Sequence, residues 1–248
     1  MAKSAIRNKT DYLAFGAFNH SSTKKIMSEK KNQFQFVICG TDTDIGKTLI
    51  SAFFVRGLNA FYWKPIQSGI DPETDSHALE RLSKVNKSKI INEAYIFKQA
   101  VSPHWASEID RQVINFQNLN LPNVDGALII ETAGGLMVPL TRNYLQIDQI
   151  KKWDLPIILV CKSTLGTLNH TLLSIEALKK RNIKILGLVI NGEKHLDNPK
   201  TLTEFSNIPI IAEFPYIQKI DSNNLDILWK ELNIKNKLIS LLNSKKDK

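Results

Sequence analysis

Short apolar runs alternate with stretches of helical spacing along most of this chain, beginning at Phe34. Residues 34–39, 61–66, 126–131, 156–161, 185–190 and 208–214 are apolar-rich and short, and each predicts a strand. Between them, 47–58, 74–83 and 169–181 predict helices, as does 225–242, where Leu and Ile recur among Lys and Asn. Nearly unbroken apolar strands separated by helices predict an α/β fold, a parallel sheet with helices on both faces. Right-handed crossovers then bring the C-terminal ends of the strands, and any ligand site, to one edge.

Residues 1–33 lie outside this pattern and are read as a disordered or extraneous N-terminal extension, leaving 34–248 as the domain. The first 26 residues are polar and irregular, and the segment 12–18 is too short for the apolar core of a signal peptide. Met27, just before the first strand, is an alternative start. The 248 residues suffice for one large core, and no apolar run approaches the roughly 20 residues of a membrane span. Cys39 and Cys161 each end an apolar run, which suits buried reduced thiols in a cytoplasmic protein better than a disulfide framework. The net charge of +9 comes largely from lysines near the ends, in STKKIMSEKK and SKKDK. Such runs are solvated tails, and no recognition motif accompanies them, so neither nucleic acid nor membrane is an expected partner. A basic balance does favour an anionic nucleotide.

The chemistry begins at GTDTDIGKT, residues 40–48, between the first strand and the first helix. Backbone N–H groups of such a loop wrap phosphate oxygens, and the helix N-terminus adds its dipole. Gly46 lets the backbone approach, Lys47 reaches the β- and γ-phosphates, and the Thr48 hydroxyl can ligate Mg²⁺. Asp44, Ile45, Gly46, Lys47, Thr48 and Leu49 are the nucleotide-binding stretch of a P-loop NTPase-like domain. The spacing is one residue off the usual pattern, since Gly40 precedes Thr41 at the position where the first glycine ordinarily stands. GKT alone also occurs in capped turns. A magnesium–phosphate site needs an acid at a neighbouring strand end, and Glu131, ahead of Gly134 and Gly135, has that place. Asp75 is a second candidate, although acids there also cap helices. Lys64, at another strand end, can neutralise charge on a transferred phosphoryl group or simply snorkel past Tyr62 and Trp63.

GTDTDIGKT, KPIQSG, ETAGG, LGTLNH and VING follow one another in the order and spacing of the dethiobiotin synthetases, and the chain resembles that family from about residue 36 to 216. SPH, 102–104, matches a further block. The resemblance implies ATP-dependent closure of a ureido ring on 7,8-diaminononanoate, with CO₂ or bicarbonate supplying the carbon. It implies a carbamate on one amine, a carbamic–phosphoric anhydride made with ATP, and attack by the second amine. It places Lys47 and Lys64 as the catalytic lysines, and Thr48, Asp75 and Glu131 around Mg²⁺. Thr43 and Ser68 would contact the diamine or its carbamate, Asn191 and Gly192 would lie at the adenine, and Pro215 and Tyr216 would line the base pocket. Gly166, Thr167 and Asn169 belong to a segment that reaches the substrate across a dimer interface, so a homodimer is implied.

Asp44 stands where the family often has glutamate, Thr132 replaces the glycine of EGAGG, and Gly192 replaces an acid. The stretch from Lys47 to Lys64 is also short, which predicts a truncated first helix. Two other P-loop readings compete. A cobyrinate synthetase-like ligase needs a glutamine-hydrolysing domain for which no length remains. A ParA-like dimeric ATPase switch commonly carries an extra lysine early in the loop, where this chain has Thr41, Asp42, Thr43 and Asp44. His104 and His170 are expected to be structural or substrate-lining, because phosphoryl transfer needs positioning and charge rather than a nucleophile.

Overall fold

The computed structural model describes residues 34–217 and 219–243, so the whole of the proposed extension, 1–33, lies outside the described residues. Strand β1 (Gln35–Gly40) leads through the loop into α1 (Lys47–Leu58), whose bounds are those predicted. Then come β2 (Phe61–Trp63), β3 (Ile66–Ser68), α2 (Asp75–Ser83), β4 (Ile90–Ile91), β5 (Tyr95–Phe97) and α3 (Pro103–Ile109). β6 (Leu128–Gly135) is followed by a small β7 (Pro139–Thr141)–β8 (Tyr144–Leu145) hairpin and α4 (Gln146–Trp153). The chain continues through β9 (Ile157–Lys162), α5 (Thr167–Lys180), β10 (Ile185–Asn191), α6 (Asn198–Ser206) and β11 (Ile210–Phe214). It ends in α7 (Ser222–Glu231) and α8 (Ile234–Asn243).

Seven strands form one sheet in the order β11-β10-β9-β1-β6-β2-β4, and every pairing in it is parallel. β1 sits between β6 and β9, where the strand order reverses, so its C-terminal loop opens into the crevice that α/β sheets use for ligands. Both faces are covered, which is why β1 reads as continuously apolar. Phe36 and Ile38 point into a core with Phe53, Phe54 and Phe214, while Val37 and Cys39 point into a second core with Ile150, Leu159 and Leu178. On the first face α1 and α7 approach closely at Gly57, where a Cβ would lie 2.2 Å from the Trp229 ring. That ring in turn meets Phe53 edge-on at 5.2 Å.

Two expected elements are divided. The run 61–66 is not one strand: Pro65 has no N–H to give a ladder, so β2 stops at Trp63 and β3 leaves the main sheet to pair with β5. The last helix breaks at Asn233, whose φ of 50° is left-handed and cannot continue a helix, giving α7 and α8. β4, β5, β7, β8, α3, α4 and α6 were not predicted; the strands are two or three residues long and the helices no more than nine, too short for a period to show. Among the described residues, no helix is long and apolar enough to cross a membrane.

Candidate active site

The loop after β1 is shaped by two left-handed residues, Asp44 at φ 52° and Gly46 at φ 90°. Left-handed residues in such a loop are the backbone pattern from which anion-binding nests are built. Gly46 is required there twice over, since an added Cβ would also come within 2.2 Å of the Asn191 amide nitrogen. Asn191, at the end of β10, donates from Nδ2 to the Ile45 carbonyl at 2.9 Å and so ties the loop to the sheet. Ile45 is buried, with its Cδ1 over Gly40, and Lys47 folds back to donate to the Asp42 carbonyl at 2.9 Å. Burial pushes Lys47 below the ordinary lysine pKa, against the pull of Glu131, and the neighbouring Lys64 lowers it further.

Residues from four elements meet beside this loop. Thr48 is the second residue of α1, Lys64 follows β2, Asp75 is the first residue of α2, and Glu131 lies in β6. Thr74 caps α2 by accepting from the His77 N–H, and Gln67 accepts from the Asp75 N–H at 3.3 Å. The Lys64 ammonium donates to Asp75 Oδ2 and, at 3.2 Å, to Glu131 Oε1. Burial alone would lower Lys64, but the Glu131 and Asp75 carboxylates outweigh it and hold its pKa above the lysine range. Burial would likewise raise Asp75, yet Lys64 and the Thr48 hydroxyl keep it below the usual carboxylate range. Glu131 Oε2 accepts from the Tyr62 hydroxyl at 3.0 Å. Burial first, then the charges of Glu131 and Asp75, push the Tyr62 pKa well above its ordinary value, so the phenol remains a donor.

The Thr48 hydroxyl lies 2.8 Å from Asp75 Oδ1 and 2.9 Å from Glu131 Oε1. It has one proton and two acceptors, so one of these oxygen pairs is always lone pair against lone pair. A cation relieves that, and Lys64 already supplies one positive charge to the same two carboxylates, sharing Glu131 Oε1 with Thr48 and taking the other oxygen of Asp75. No cluster of three or more His, Cys, Asp or Glu occurs among the described residues. Two carboxylates and a hydroxyl are nevertheless what Mg²⁺ takes from a protein when phosphates complete its shell. The donor set therefore fits this ion.

These groups line a cleft of ≈ 780 Å³ that also contains Thr43 and Ser68. The Ser68 hydroxyl is buried and has no hydrogen-bond partner among the described residues. Asp44 and Gly46 reach the cleft; Leu49 instead packs on the core. Gly192, Pro215 and Tyr216 lie past the ends of β10 and β11, outside the lining, with Tyr216 exposed. Gly166, Thr167 and Asn169 do not join the cleft either: Gly166 and Asn169 are exposed, while Thr167 is buried with its hydroxyl 3.4 Å from that of Thr171. Thr132, in place of the glycine of EGAGG, turns its hydroxyl toward the Ile38 carbonyl at 3.4 Å and leaves the cleft to Glu131 and Ala133. His104 is hydrogen-bonded to Ser102 at 2.9 Å, and neither it nor exposed His170 lines the cleft. Both cysteines are free and buried, and burial pushes the Cys39 thiol up to about 12, leaving it inert. Tyr62 and Gln67 were not singled out from sequence. Tyr62 stands two positions before Lys64, a spacing that places strand side chains on one face.

The AAA domain family model matches residues 35–224. The chain is 43% identical over 189 residues to an ATP-dependent dethiobiotin synthetase BioD of Rhodopseudomonas palustris (strain HaA2), covering 76% of this chain and 89% of that protein. The protein of the same name from Bradyrhizobium diazoefficiens is 38% identical over 208 residues, 84% of this chain and 99% of its own. In fold, the structure of pNOB8 ParA bound to nonspecific DNA is similar, with a TM-score of 0.50 at 12% identity over 86% of this chain and 99% of that one. At that identity and coverage, the chain belongs to the family of ATP-dependent dethiobiotin synthetases.

Proposed function

We propose that this chain closes the ureido ring of dethiobiotin from 7,8-diaminononanoate and CO₂ or bicarbonate, using ATP. One observation carries the reading: two lysines, two acids and the Thr48 hydroxyl converge beside the loop in a cleft that also holds the unpartnered Ser68 hydroxyl. One amine adds to CO₂ and the carbamate forms. A carbamate oxygen attacks the γ-phosphorus, the bond to the β-phosphate oxygen breaks, and ADP leaves. The second amine then attacks the carbamoyl carbon, and phosphate departs with the former carbamate oxygen. Lys47 and the loop N–H groups hold the phosphates, and Lys64 meets charge on the transferred group. Thr43 and Ser68 orient the diamine or carbamate. Thr48, Asp75 and Glu131 would hold Mg²⁺, which would supply positive charge to offset that of the phosphates.

Asn191, Gly192, Pro215 and Tyr216 stand at the adenine side in this reading, next to the tether that joins β10 to the loop. Exposed Gly166 and Asn169, with fully exposed Leu165 and half-exposed Leu173, form the surface by which two copies associate in the cytoplasm. A monomer in sedimentation at assay concentration removes the dimer from this reading. The test of the reaction is ATP hydrolysis with and without the diamine and bicarbonate. Turnover is expected only with both present, and equal ATPase activity without the diamine overturns the assignment in favour of a nucleotide switch.

A further inference from the structure

We propose that Tyr62 selects the divalent ion of this cleft, by tying one oxygen of Glu131 so that the carboxylate offers an ion a single oxygen. The inference rests on the magnesium reading above. Tyr62 and Glu131 are both fully buried, so whatever each Glu131 oxygen faces is decided by protein groups. Oε1 faces the cleft, 2.9 Å from the Thr48 hydroxyl and 3.2 Å from Lys64. Oε2 is turned the other way and accepts from the Tyr62 hydroxyl at 3.0 Å. The arrangement follows from register: Tyr62 lies opposite Ile129 across the β2–β6 pair, on the face that Ile129 shares with Glu131, and a phenol is long enough to span the difference.

The consequence differs between ions. Mg²⁺ demands near-octahedral geometry and is content with one oxygen from each carboxylate, whereas Ca²⁺ takes more ligands and commonly takes both oxygens of a carboxylate. A carboxylate pinned at Oε2 satisfies the first ion and denies the second its bidentate ligand. Tyr62→Phe removes only the hydroxyl and leaves the ring that fills the core. Oε2 is then a buried acceptor with no donor, a state that bidentate binding of the larger ion relieves.

The experiment is calorimetric titration of ADP into wild type and Tyr62→Phe, each in Mg²⁺ and in Ca²⁺. The variant is expected to shift the ratio of the two affinities toward Ca²⁺ by on the order of tenfold. A side chain that only fills the core would lower the melting temperature and leave that ratio alone. An unchanged ratio in a folded variant overturns the inference while the magnesium reading stands. Wild-type binding of ADP that responds to neither ion removes both. A crystal structure of the wild-type Mg²⁺–nucleotide complex supplies a check that needs no variant: both Glu131 oxygens on the ion overturn the inference.

Discussion

Lys64→Gln is expected to lower kcat by about two to three orders of magnitude, the cost of removing one charge-stabilising donor from a preorganised site. The same substitution has a second signature, which follows from where the ammonium sits. Lys64 is 5% exposed and bonded to both Asp75 and Glu131, so without it two carboxylates face each other across the Thr48 hydroxyl. Removing one partner of such a buried cluster costs about 3–5 kcal/mol. Mg²⁺ can restore the missing charge, whereas in the wild type it must share those oxygens with a resident ammonium. The melting temperature of the variant should therefore rise further on adding Mg²⁺ than that of the wild type, although turnover stays low. Wild-type turnover in the variant removes Lys64 from the chemistry, and equal Mg²⁺ responses refute the shared-oxygen account.

Gly46→Ala should weaken nucleotide binding by about two orders of magnitude while the sheet stays folded. A Cβ at φ 90° costs about 1–2 kcal/mol in backbone strain. It also meets the Asn191 amide at 2.2 Å, so either the loop or Asn191 must move, and the hydrogen bond to Ile45 goes with it. A displaced loop loses N–H contacts to phosphate, each worth about 1.5 kcal/mol or more when the acceptor is charged. Together these exceed the roughly 3 kcal/mol that correspond to a hundredfold change in affinity. Asn191→Ala in the same chain separates the two causes. If the clash dominates, the double variant binds more tightly than Gly46→Ala alone; if strain dominates, it does not. Unaltered ADP affinity in Gly46→Ala contradicts both.

Much of this architecture was legible in residue order because burial on two faces makes strands such as β1 and β9 almost wholly apolar. The ends of α1 were legible for local reasons: Gly46 and Lys47 open it, and Asn59, left-handed at φ 50°, closes it. Glu131 stood out as an acid ending an apolar run; the strand in fact continues past it to Gly135, and its Oε1 lies 2.9 Å from the Thr48 hydroxyl. Other features depend on contacts that no period records. The division of 61–66 is set by which strand accepts Ile66, and β5 lies about thirty residues further on. Tyr62 entered the sequence reading only as a ring beside Lys64; its hydroxyl meets Glu131 because the two strands pair in space. Of the segment 166–169, Gly166 and Asn169 are exposed and lie outside the cleft, so a substrate role for them rests on the proposed association of two copies.

The tether from Asn191 to the loop spans 146 positions of sequence, and the Thr48–Glu131 and Lys64–Glu131 contacts span 83 and 67. Closing such separations is the slow part of building a parallel sheet. No early fragment of this protein, during synthesis or refolding, contains a competent phosphate loop with its acids in place. Nucleotide thus has nothing to grip until β6 and β9 have flanked β1 and β10 has joined β9, and it acts afterwards, by mass action on the finished chain. The cell cannot use ATP to template this enzyme; it can only keep the copies that have already assembled from opening again.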